Sequence, residues 1–238
     1  MTRYAAAMNI HDHIADERRR AADLIESLSV DQLRAPSLCG QWTVHEVAAH
    51  LLMPLVLSRT RLLMAMVASG MDFDRANVRL TAAVAGRPAA EIAAGLREHA
   101  EHRFKPPGVG YEAPLTDLVI HQQDISHPLG IAHAPALDRV RVCLAYLTSG
   151  AAKRVVPDGM LRGLRLQATD LDWSVGRGAL VRGPAQALLM AVAGRAATLA
   201  ELDGDGADAL GGRIAADLPS PCESASDAAD GIEENRGG

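Results

Sequence analysis

Aromatic residues make up only 3% of this chain of 238 residues, and lysine occurs at positions 105 and 153 alone. So few aromatics leave no stacking platform, and arginines scattered among acids make no basic stripe, which argues against nucleic-acid binding. Long apolar runs are missing as well. The longest near His50 is about a dozen residues and contains that histidine, well short of the roughly 20 that a membrane-spanning helix needs. The opening MTRYAAAMNIHDHIADERRR has no apolar core before a small-residue cleavage site, so no signal peptide is expected and a cytoplasmic location follows by default. Cysteine is limited to Cys39, Cys143 and Cys222, odd in number and without CxxC spacing, which points to free thiols in a reducing compartment.

What the chain does have is apolar content: 48% hydrophobic against 22% charged residues, enough for one large or two small cores. Net charge is −5. Asp217, Glu223, Asp227, Asp230, Glu233 and Glu234 face only Arg236 within residues 215–238, so the tail accounts for that charge and the body is close to neutral. The tail has too little apolar content to pack, and residues 213–238 are expected to be a disordered acidic tail.

Ile10, Ile14, Ala21, Leu24, Ile25 and Leu28 recur at helical spacing, which predicts a first amphipathic helix over 9–28. LSVDQLRAPSLCGQW reads as a loop. Thr43 and Glu46 form the capping box of a second helix that Pro54 should kink and Gly70 should end. A short helix over 72–85 follows, then one opened by Pro88 at its first position and running to about Phe104. Another begins at Pro114 and is stopped by Pro128 and Gly130. Residues 137–154 read as helix, LRGLRLQATDLDWSVGRGALVRG as two or three strands, and GPAQALLMAVAGRAATLAEL as helix again. The chain is therefore mainly α: a helical bundle over 1–136, a small α+β domain over 137–212, and the tail.

TVHEVAAHLL at first sight suggests the zinc-protease signature, but His45 and His50 are five residues apart. About 500° of rotation leaves them roughly 140° from each other, so they cannot ligate one ion from one helix face. Asp117 and His121, by contrast, sit at i and i+4, with Asp124 at i+7, on one face. Imidazole plus carboxylate suits zinc or a similar divalent ion, and His50, on the apolar side of its helix between Val47 and Leu51, is the natural third ligand. On spacing alone, a hydrogen-bonded core histidine at position 50 and a solvated Asp117–His121 pair stay open as the alternative. His99 and His102 at i, i+3 are a rival pair in a very polar segment, while His11, His13, His45, His127 and His133 have no convincing partners.

Three stretches, CGQWTVHEVAAHL, DLVIHQQDISHPLG and RLQATDLDW followed by VRGPAQALLMAVAGR, together resemble the mycothiol-dependent maleylpyruvate isomerase family of actinobacteria, a branch of the DinB-like metalloproteins. The resemblance covers about residues 10–212. It implies a DinB-like four-helix bundle with a long crossover connection, joined to a small domain resembling sterol carrier proteins. It places the family's metal ligands on His50, Asp117 and His121, gives Asp124 the role of orienting the His121 imidazole, and puts Arg195 near the metal cleft, where its fork would hold a carboxylate-bearing substrate or the thiol. The family has Glu where this chain has Asp117, one methylene shorter.

The implied activity is that of a metal-dependent, mycothiol-using transferase or isomerase. Zinc, or alternatively nickel or manganese, would hold a thiolate that attacks a small electrophilic substrate. A non-catalytic metal- or ligand-binding protein and a metal-dependent hydrolase are the alternatives. Neither the substrate nor the oligomeric state is encoded in any of these motifs.

Overall fold

The computed structural model describes residues 9–40 and 42–217. Within them lie ten α-helices, one 3-10 helix and three strands: α1 Ile10–Ser27, α2 Val30–Arg34, α3 Val44–Val56, α4 Arg59–Ala68, α5 Phe73–Ala85, α6 Ala89–Glu98, α7 Glu112–Ser126, α8 Leu137–Thr148, β1 Leu164–Ala168, β2 Ser174–Gly176, β3 Ala179–Gly183, α9 Ala185–Val192, the 3-10 helix Ala196–Glu201, and α10 Ala207–Asp217. The protein is mainly helical with a small sheet near its C-terminal end, as the sequence predicts. No helix among the described residues is long and apolar enough to cross a membrane.

Helices α1, α6, α3 and α7 pack as a closed ring of four, each touching the next, and this is the bundle. The connection from α3 to α6 is long and carries α4 and α5, with α5 lying against α3. Local signals set the helix starts. Asn9 and Asp12 form a capping box on α1, and Thr43 and Glu46 form one on α3. Each cap contributes about 1 kcal/mol by satisfying donors that the first turn leaves unpaired. Ile14, Ala21 and Ile25 of α1, Leu52 of α3, Ile92 and Leu96 of α6, and Leu115 and Val119 of α7 fill the core. Gly95 permits the close approach of α6 to α3, since a Cβ there would lie 2.9 Å from Leu52 Cδ1.

Helix α8 packs on α7 and on α9, so it touches both the bundle and the C-terminal segment. The sheet has the order β2-β1-β3, with β2 antiparallel and β3 parallel to β1. Two residues carry the chain from β2 to the far side of β1, and Gly178 makes that crossing possible. Its φ is 128°, and a Cβ there would sit 2.0 Å from the Gly163 carbonyl oxygen.

Several element bounds differ from the sequence reading. Val30–Arg34, read as loop, forms a helix because Ser29 and Gln32 cap it. The expected long helix from Thr43 to Gly70 is two helices. Pro54 cannot bond the His50 carbonyl, and Ser58 caps a new start two residues after α3 ends. Pro88 is the N-cap of α6, not its first residue, and α6 stops at Glu98, short of Phe104. Arg18 Nη1 collects the carbonyls of His99, Ala100 and His102 at 3.2, 2.8 and 2.6 Å, and these interactions replace a further helical turn. Helix α8 ends at Thr148, and the last long helix breaks at Gly194 into α9 and the 3-10 helix. Residues 213–217, assigned to the tail, belong to α10, where Ile214 is buried. The remainder of the expected tail lies outside the described residues.

Candidate metal centre

Helices α3 and α7 are neighbours in the ring, and each presents one buried histidine to the other. His50 is 9% and His121 8% exposed, and their rings meet edge to face with centroids 4.8 Å apart. Trp42 packs on the inner side of His50, 5.3 Å between centroids, within a small core formed with Leu24, Val44, Val47 and Ile125. Asp117, one turn before His121, has a side chain 44% exposed and stands at the open side of the pair.

One carboxylate oxygen organises the group. His50 Nε2 lies 3.5 Å and His121 Nε2 3.3 Å from the same atom, Asp117 Oδ1. These separations exceed the 2.7–2.9 Å typical of a charge-assisted hydrogen bond. They match the edge of a coordination tetrahedron, because ligand atoms about 2.0–2.1 Å from zinc are about 3.3 Å from one another. All three candidate ligand atoms fall within 4.8 Å. The donor set of two buried imidazoles and one partly exposed carboxylate fits a divalent ion with a free coordination position.

Behind His121 runs a buried ionic chain. His121 Nδ1 is 2.9 Å from Asp124 Oδ2, and Asp124 is fully buried. Arg195, 7% exposed, meets that carboxylate with two nitrogens, Nε to Oδ1 at 3.0 Å and Nη2 to Oδ2 at 2.7 Å, while Nη1 donates to the Ala193 carbonyl. The fork of Arg195 is therefore directed at Asp124 and not at open space in the cleft. Gly194, with φ 84°, ends α9 and turns the chain so that Arg195 points back toward α7.

The protonation states follow from these contacts. Burial alone would push the Asp117 carboxyl up, but His121 and His50 beside it outweigh burial and hold it far below the usual carboxylate range. Burial likewise opposes a charged His121, yet Asp117 and then Asp124 raise its imidazole to about 9. For Asp124 the desolvation cost is overcome by Arg195 and His121, which bring it down to about 2.

The rival histidines do not form a comparable group. His99 and His102 lie beyond the end of α6 with ring centroids 6.3 Å apart, and no three-ligand cluster among the described residues includes them. His45 Nε2 donates to the Ala85 carbonyl, and His133 bonds Gln122. A second cluster, Cys39 with His121 and Asp124, is less suited to an ion, since Arg195 already neutralises Asp124. Cys143 is free and buried. A residue the sequence did not single out is Thr81 of α5, whose hydroxyl lies 3.5 Å from His50 Nδ1.

A four-helix bundle with a two-histidine, one-carboxylate group between neighbouring helices, flanked by a small sheet, is the class of protein that fold and site define. Residues 14–105 match the family model described as the mycothiol maleylpyruvate isomerase N-terminal domain, and the first of the three motifs lies inside that match. His50 lies inside the matched region; Asp117, His121 and Arg195 lie beyond it. Among solved structures, the chain is similar to a crystal structure of mycothiol-dependent maleylpyruvate isomerase carrying a histidine-to-alanine mutation. The TM-score is 0.52 at 16% identity, covering 90% of this chain and 96% of that one. At that identity the likeness is one of fold. No curated protein matches the sequence.

Proposed function

We propose that this chain is a metal-dependent, mycothiol-using enzyme that transfers or isomerises a small electrophile, with His50, Asp117 and His121 as ligands to a divalent ion, zinc foremost. The observation that carries this reading is the placement of both Nε2 atoms at tetrahedral-edge distances from one half-exposed carboxylate oxygen. A divalent ion bound here would lower the pKa of a low-molecular-weight thiol in the open position, supplying a nucleophile at neutral pH without a dedicated base.

The chain's own residues set the charge and shape of that position. Asp117 contributes one negative charge to the ligand group. Asp124 adds none overall, because Arg195 cancels it within the same buried pair. A dication would therefore leave the centre net positive, which favours an anionic thiolate over a neutral thiol. Arg195 on this reading serves the centre through Asp124 and His121, as a positioning residue, and does not grip the substrate. Transfer and isomerisation share the first step, formation of a bond from sulfur to an electrophilic carbon. In transfer that bond is kept; in isomerisation the sulfur leaves again after rotation about the carbon–carbon bond.

The test is mycothiol consumption with a generic electrophile and with a conjugated cis-diacid, by zinc-loaded and by chelated protein. Zinc-dependent thiol conjugation or isomerisation supports the reading. Zinc-dependent hydrolysis that ignores the thiol would replace it with a hydrolase, and tight binding without turnover would replace it with a binding protein.

A further inference from the structure

Helix α5 turns Ala76, Leu80, Thr81 and Val84 inward. Thr81 is the one polar member of that buried set and is only 2% exposed. Valine has the same shape and would fill the position without the cost of desolvating a hydroxyl, so packing alone gives no reason for threonine there. The hydroxyl faces His50 Nδ1 at 3.5 Å, while Nε2 of the same ring faces Asp117. The other histidine has the same arrangement, with Nδ1 on Asp124 and Nε2 toward Asp117.

We infer that Thr81 is the positioning residue for His50: its hydroxyl accepts the Nδ1 proton, fixes the tautomer and ring plane, and leaves Nε2 as the ligating atom. The inference rests on the metal centre proposed above and adds a residue on α5 to it. A histidine that ligates through one nitrogen regularly donates its other N–H to an oxygen, and the two ligands here do so to different degrees. His121 bonds a carboxylate; His50 bonds a neutral hydroxyl, which orients the ring without adding negative charge to the centre. Contacts of this kind are often long in the unloaded protein and tighten when the site fills.

The experiment compares native protein with Thr81→Val, which keeps the shape, and Thr81→Ser, which keeps the hydroxyl. Proton and nitrogen-15 NMR of the zinc-loaded proteins reads how well the His50 Nδ1 proton is protected from solvent exchange, and zinc titration against a competing chelator reads affinity. The expected result is a protected Nδ1 proton in native and Ser proteins, a rapidly exchanging one in the Val variant, and zinc affinity roughly 10-fold lower for Val alone. Equal protection and equal affinity in all three proteins would overturn the role of Thr81. Native protein that takes up no zinc would overturn the metal centre itself, a result distinct from equal affinity across the three proteins.

Discussion

Arg195, at the end of the turn that follows α9, meets Asp124 of α7 side-on through two nitrogens, and both residues are buried. The contact joins the C-terminal segment to the helix that carries two of the three candidate ligands. Removing the guanidinium leaves a buried carboxylate without its counter-charge, so Arg195→Gln should destabilise the fold by about 3–5 kcal/mol. Asp124→Asn should lower zinc affinity by about 10- to 100-fold by releasing the His121 ring. Urea melts and chelator-competed zinc titrations check the two effects. If zinc affinity survives Asp124→Asn, Asp124 does not orient the ligand.

Proton release should accompany metal uptake. In the metal-free protein His121 titrates at about 9 and is charged at neutral pH, whereas a ligand imidazole must be neutral. Zinc binding at pH 7 therefore expels its proton, and the calorimetric enthalpy should vary with the ionisation enthalpy of the buffer. The same shift has a stability consequence for the metal-free protein. The folded-state value is raised above the unfolded one of about 6.5, so the contribution is complete below pH of about 6.5 and is lost as pH rises through about 9. A metal-free melting temperature that rises across that window would contradict the placement of His121 between two carboxylates.

Cys143 is buried, and desolvation pushes its thiol up to about 12. It should not react with iodoacetamide in the folded protein at pH 8, and should react on unfolding, as peptide mass spectrometry would show. Its raised value also means a contribution to stability that is present at neutral pH and is lost as pH climbs from the unfolded range of about 8.5 toward 12.

Arg18 ends α6 from a distance by donating to three carbonyls across the bundle, and burial lowers its guanidinium to about 10. Arg18→Met keeps the apolar stem and removes every donor. The loss of bonds to buried acceptors should cost on the order of 2–3 kcal/mol, read as a lower urea midpoint with an unchanged slope. A neutral outcome would mean that water replaces the guanidinium there.

How much of this was legible in the sequence depends on range. Asp117, His121 and Asp124 share a face by helical spacing alone, and Thr43 with Glu46 marks the start of the helix that carries His50; the structure brings these residues together as that pattern implies. The target of Arg195 was not legible, because it depends on the turn at Gly194 and on the approach of the C-terminal segment to α7. Thr81 left no trace either, since a single threonine on an apolar helix face looks like packing until His50 is seen opposite it. The end of α6 at Glu98 had a long-range cause as well: its stop signal is an arginine on α1.

The most direct test of the metal centre is zinc stoichiometry and affinity of native protein, His50→Ala, His121→Ala, Asp117→Asn and Asp117→Glu, titrated against a competing chelator. Ligation by His50, Asp117 and His121 predicts one equivalent for native protein, loss of tight binding in both alanine variants, weaker binding for Asn, and retained binding for Glu, which restores the carboxylate of the resembled family. A full equivalent bound with native affinity by both alanine variants, or Asn and Glu variants indistinguishable from native, would contradict it.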